Sequence, residues 1–305
     1  MVLLMYLRFT LAISAIFPIF LGYISPSLAF TLSVTAPLTS NHLRFSVAPL
    51  HSSADGSEID TPTKKVPWEF NRFISQSARF ISPPSLPSVL GLEGRASATA
   101  PGSVLWSSSS ASSERFSLFS WAPLDDVVMG GASKSAINGS SGVWSGTVTD
   151  ANSGGFVGIR TLPLRGMVRS LDMSKCTGIE IGISGLNDGR KRRFKFVMRD
   201  STDFNGVCWT TSFDIAPSAF ASILGSVGKK DGNVKTKYGS VTTFRIPFEQ
   251  QIPTIFSKRV PGKVFDKSNV VGMQLVYSKF EYDGDLNPNF SLGSFEIKIE
   301  DIKVY

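Results

Sequence analysis

Residues 178–184 read GIEIGIS, and this stretch decides the fold. Ile179, Ile181 and Ile183 alternate with Glu180, Gly182 and Ser184, a period of two that places one face of an extended strand in a core. The same alternation runs outward in both directions. Phe194, Phe196 and Met198 share one face while Arg193, Lys195, Val197 and Arg199 take the other; Val207, Trp209, Thr211, Phe213 and Ile215 repeat the pattern, as do Phe244, Ile246 and Phe248. Half-buried strands that follow one another with no strong helix between most of them predict an antiparallel β-sandwich. At the carboxyl end the phase slips. Phe295, Ile297 and Ile299 stand at odd positions and Ile302 and Val304 at even ones, so one extra residue near Glu300 or Asp301, a β-bulge, is needed to keep a common inward face.

The strand pattern starts after Phe116, which leaves about 190 residues for one domain, 116–305, enough to bury about 70% of the unfolded surface. Ahead of it, residues 55–115 read as a linker. Its stretch Ile81 to Ser113 is rich in Ser, Pro, Gly and Ala, which bury too little apolar area to offset chain entropy and are expected to be disordered. Within 66–80, Trp68, Phe70, Phe73, Ile74 and Phe80 recur at spacings that suit a short amphipathic helix, expected to dock on its own domain. A helical turn is expected over Pro217 to Leu224 and a long basic loop over Gly225 to Ser240.

The amino terminus reads as an address. Phe9 to Ile24 has no charged residue, but its length and Pro18 suit a signal-peptide core better than a membrane span of about 20 residues. Ser27 and Ala29 stand before a cleavage point, so residues 1–29 are expected to be a signal peptide. Residues 30–54 are Ser/Thr-rich, hold Arg44, His42 and His51, and lack acidic residues, the composition of a transit peptide. A signal peptide joined to a transit peptide at "SLAF", with Phe30 first after cleavage, resembles the bipartite presequences that lead into secondary plastids; secretion and a mitochondrial presequence are the competing readings.

Composition restricts the chemistry. The net charge of +7 favours acidic partners or membrane surfaces without choosing between them. His42 and His51 are the only histidines, both in the expected targeting segment, which removes histidine general bases, Ser/His or Cys/His pairs and the usual histidine-containing zinc sites from the domain. No glycine-rich nucleotide cradle is present. Cys176 and Cys208, far apart, read as packed thiols. No cofactor and no metal is therefore expected.

Two candidate sites remain. The first is Trp121 to Gly131, "WAPLDDVVMGG", with "NSGGF" at 152–156. Asp125 and Asp126 could polarise a substrate or, with Asp150 or Asp188, hold a hard cation; alternatively one of them bonds backbone amides and fixes the loop, with Gly130 and Gly131 supplying unusual angles. The second is a basic face, in which Arg190, Lys191, Arg192 and Arg193 crowd a turn and Arg193, Lys195 and Arg199 follow one strand face, with Lys229, Lys230, Lys235 and Lys237 in the long loop. It reads either as a solvated face or as a receiver of acidic protein, lipid headgroups or RNA. Trp121, Trp144 and Trp209 could stack on sugars or fill the core.

The combination W-x-x-x-D-D-x-V-M-G-G-x-S at Trp121 to Ser133, GGF at Gly154 to Phe156, NDGR at Asn187 to Arg190 and IPF at Ile246 to Phe248 resembles the complex I intermediate-associated protein 30 family. The resemblance implies a galactose-binding-like jelly-roll sandwich and a noncatalytic assembly chaperone for subunits or intermediates of an NADH dehydrogenase or photosynthetic membrane complex. It carries over no catalytic residues. A carbohydrate-binding module and an organellar RNA-binding translation factor are the alternatives. The expected location is a plastid, with the mitochondrion second, and Asp125, Asp126, Arg190, Lys191, Arg192, Arg193, Lys195 and Arg199 form the candidate partner-binding surface.

Overall fold

A computed structural model describes residues 65–80, 94–108, 117–164, 168–185, 189–217 and 241–305. The expected targeting segments, the basic loop and the turn beyond Pro217 lie outside the described residues. Every described residue belongs to one compact unit, Pro62–Tyr305. Among the described residues, the helix α1 (Phe70–Ala78) comes first. Strands follow as β1 (Arg95–Ala98), β2 (Val104–Ser107), β3 (Trp121–Pro123), β4 (Lys134–Ile137), β5 (Val143–Val148), β6 (Phe156–Thr161) and β7 (Val168–Asp172). The remainder are β8 (Gly178–Ser184), β9 (Arg192–Arg199), β10 (Cys208–Ile215), β11 (Val241–Pro247), β12 (Ile252–Ile255), β13 (Lys258–Arg259), β14 (Gly272–Ser278) and β15 (Gly293–Val304).

A seven-stranded sheet runs β13-β12-β10-β9-β14-β6-β3 and faces a six-stranded sheet of β11-β8-β15-β5-β4 with β2 also paired to β15. The chain passes repeatedly from one sheet to the other, so the fold is the expected all-β jelly-roll sandwich. Alternation explains the core directly. Ile179, Ile181 and Ile183 of one sheet meet Phe194, Phe196 and Met198 of the other, all 0–1% exposed, around Trp144, Leu275 and Tyr277. The bulge falls where the phase slip requires it: Ile299 pairs with Ile183 and Asp301 with Gly182, so Glu300 is the extra residue, and Ile302 and Val304 return to the core.

The linker reading is corrected for part of its length. β1 runs parallel to β7, and β2 adds antiparallel to β15 with Leu105 and Trp106 buried. Backbone hydrogen bonds do not depend on side-chain polarity, so a strand of Arg-Ala-Ser-Ala can be held by its neighbour while its composition reads as low complexity. The domain therefore begins well before Phe116.

Candidate functional site

The acidic loop is built around backbone, and each aspartate has a different task. Asp126 opens a 3-10 turn (Asp126–Met129) that ends at Gly130 with φ 92°, a left-handed angle that suits glycine. Its Oδ1 accepts from the Ser133 amide at 2.9 Å, and its Oδ2 from the amides of Gly155 at 2.8 Å and Phe156 at 3.4 Å. The carboxylate thus ties the WAPLDD segment to the GGF segment, 1% exposed. Glycine is required at two points around it: a Cβ on Gly131 would lie 2.3 Å from Asp126 Cγ, and one on Gly154 2.5 Å from its Oδ2.

Asp125, 0% exposed, receives the amino-terminal segment instead. Its carboxylate accepts from Arg72 Nη2 at 2.8 Å, Gln76 Nε2 at 2.9 Å, and the Ser135 amide and hydroxyl at 3.0 and 2.6 Å, while its own amide donates to Gln76 Oε1 at 2.8 Å. Burial pushes the carboxyl pKa up, and the hydrogen bonds from Ser135, Gln76 and Arg72 oppose it. Beside this clasp, Trp68 Nε1 donates to the Val127 carbonyl at 2.9 Å, and Asn152 exchanges hydrogen bonds with the backbone of Val66 at 2.9 and 2.8 Å. α1 docks on the domain through Arg72 and Gln76, and Phe80 just beyond it is buried against Ala122 and Leu124, while Trp68 and Phe70 stay 46% and 51% exposed.

These contacts resolve the choice between chemistry and scaffold for Asp125 and Asp126. Both are enclosed and engaged with amides, hydroxyls and α1, so the reading of them as exposed partner-binding residues is corrected. Among the described residues no group of three His, Cys, Asp or Glu side chains could hold a metal.

The basic face is corrected in the same way, because the outer face of the seven-stranded sheet is roofed by loops. Arg192 instead has the inward phase of Phe194; 1% exposed, it lies over the Tyr277 ring and donates to Tyr277 Oη at 2.6 Å and to the carbonyls of Ser291 and Ser294 at 3.0 and 3.1 Å. Lys195 is 4% exposed; its ammonium donates to the carbonyls of Phe280 and Glu281 at 2.8 and 2.7 Å, and burial lowers its pKa to about 8 against the pull of Glu281. Arg199 is also covered, at 3%. Arg190 and Lys191 are exposed, and Arg193 is half-buried in a fork on Asp214, with hydrogen bonds of 2.7 and 3.0 Å. Those bonds, with Lys191 and Asn289 adding to them, hold Asp214 well below the usual carboxylate range.

Strand parity gave the correct outer phase for Arg193, Lys195 and Arg199, but parity says nothing about loops that cover a face. It also passed over Arg160, Glu281 and Tyr282 on that face. Arg160 alone had a legible signal, a charge inside the apolar run FVGIRT. Trp144 and Trp209 lie in the core at 0% and 4% exposure, and Trp121 packs edge-on against Trp106, so none offers an open ring for a sugar. Cys176 and Cys208 are free thiols, and burial pushes both pKa values up.

Comparison with known proteins adds the following. Residues 108–224 match the family model described as complex I intermediate-associated protein 30. A family 11 carbohydrate-binding module from Clostridium thermocellum, solved with a β-1,3-1,4-mixed-linked tetrasaccharide, is similar at a TM-score of 0.36 and 17% identity over 61% of this chain and 88% of that one. An agarase is similar at 0.35 and 8% identity over 66% of this chain and 26% of that one. No curated protein sequence matches the chain significantly.

Proposed function

We propose that this chain, whose residues 108–224 match the family model described as complex I intermediate-associated protein 30, is a noncatalytic assembly factor that binds subunits or intermediates of an NADH dehydrogenase or photosynthetic membrane complex. The family match carries this reading. It contains the whole acidic loop, in which Asp126, Gly131, Gly154 and Gly155 interlock as one unit. The engagement of Asp125, Asp126 and Lys195 in internal hydrogen bonds accords with binding rather than turnover. Residues 1–54 are assigned to import, with the plastid as destination and the mitochondrion as the alternative.

The test is a carboxyl-terminal fluorescent fusion for location, followed by native separation of membrane extracts. The tagged protein is expected to migrate with a partial complex, and its deletion to deplete the mature complex while partial forms accumulate. Migration only as a free monomer during active assembly, with an unchanged complex after deletion, would falsify the proposal.

A further inference from the structure

Among the described residues, two guanidiniums on the roofed outer face lack a counter-charge. Arg160 on β6 stands opposite Gln274 of β14, and Gln274 opposite Val197 of β9, two residues from Arg199. Strand parity therefore puts Arg160 and Arg199 on one face, separated by β14. Gly272, which pairs with Arg199, leaves no side chain on the intervening strand beside it.

Arg160 is 8% exposed, with its guanidinium carbon 5.3 Å from the Phe80 ring centroid and 5.1 Å from that of Phe204. Rings stabilise the cation but are poor acceptors for the five N–H groups of a guanidinium. Arg199 donates to Cys208 Sγ at 2.8 Å and to the carbonyls of Asp203 and Phe204, while its Nε has no partner among the described residues.

The neighbouring acids are occupied elsewhere. Asp200 accepts from Trp209 Nε1 at 2.8 Å and the Asp266 amide at 3.0 Å, and Asp203 accepts from the Asn205 amide at 3.1 Å. Burial holds the Cys208 thiol in its neutral form against the pull of both arginines. Burial and the charge of Arg199 together lower the Arg160 pKa to about 9, against the pull of Cys208. Two buried like charges without an anion are costly, and planar N–H forks match the oxygens of a phosphate group.

We propose that Arg160 and Arg199 form a binding site for a phosphate-class dianion, free inorganic phosphate or a small soluble phosphate ester, flanked by Phe80 and Phe204. Charge decides for the dianion over a carboxylate, since two guanidiniums are neutralised by two negative charges. The site is independent of the assembly role.

The experiment is calorimetry and thermal unfolding of the full chain with inorganic phosphate, glycerol 3-phosphate or acetate, each matched in ionic strength with chloride. Saturable binding and a raised Tm are expected with phosphate or its ester and not with acetate. Tighter binding of the ester identifies an ester as the natural ligand; tighter binding of inorganic phosphate identifies the free ion. Arg160→Leu is expected to weaken binding at least about tenfold without lowering the Tm measured in chloride alone. Where that variant fails to fold, Arg160→Lys keeps the charge, loses the fork and is expected to bind more weakly than wild type. No saturable phosphate response, an equal response to acetate, or unchanged affinity in the folded arginine variant overturns the proposal.

Discussion

Asp126 and its two glycines form a contact in which a single methyl group matters. Gly131→Ala drives Cβ to 2.3 Å from the Asp126 carboxyl carbon, whereas a methyl group on the exposed Gly139 would meet nothing within 4 Å. Gly131→Ala should lose about 2–3 kcal/mol, read as a Tm lower by roughly 5–10 °C, and Gly139→Ala should leave Tm nearly unchanged. Equal Tm values for the two variants would contradict the interlock. Lys195 gives a second residue-scale test. Its folded pKa, about 8, lies below the unfolded value near 10.5, so between these the unfolded chain binds more protons and stability rises with pH. Denaturant titrations should find this increment, up to about 3 kcal/mol across pH 8 to 10.5, in wild type and not in Lys195→Met. The difference curve isolates it from Cys208, whose raised pKa acts in the opposite sense above about pH 9.

At the scale of elements, α1 shows how sequence periodicity can find a helix and only part of its contact, the burial of Phe80 against Ala122 and Leu124. Aromatic spacing marks the helix, and docking on its own domain is what the structure contains. The polar contacts, however, run from Arg72 and Gln76 to a buried carboxylate, a pairing that hydrophobic pattern cannot reveal because Asp125 lies 53 residues from Arg72. Gln76→Ala leaves the Asp125 amide and one carboxylate lone pair without partners and should cost about 2 kcal/mol. Hydrogen exchange should then open α1 before the sandwich, and unchanged protection of α1 would contradict the clasp. β15 is the opposite case, since its phase slip at Glu300 was legible because five buried side chains report on one strand. Deleting Glu300 would turn Ile302 and Val304 outward and should abolish folding, whereas Glu300→Ala, which keeps the residue count, should still give a cooperative unfolding transition.

Across the whole molecule, the sandwich was readable because alternation in Gly178–Ser184 and Arg192–Arg199 samples both sheets. Its amino-terminal edge was not, because β1 and β2 are joined by backbone bonds and only Leu105 and Trp106 mark them as buried. The candidate surface failed for a related reason: roofing loops such as Phe280–Leu286 join distant strands, and net charge carries no information about cover. A fragment starting at residue 116 loses both strands and uncovers β7 and β15, so it should be rapidly digested by protease. A fragment of 65–305, which keeps them along with α1, should resist; equal protease lifetimes would contradict the revised boundary.

β15 supplies one further consequence. It is hydrogen-bonded to β8, β5 and β2 and carries Phe295, Ile297, Ile299, Ile302 and Val304 into the core. Every strand it joins is synthesised before it. A nascent chain whose final strand is still inside the ribosome therefore has two half-sheets with no seam between them. The sandwich can close only once β15 has emerged to join them.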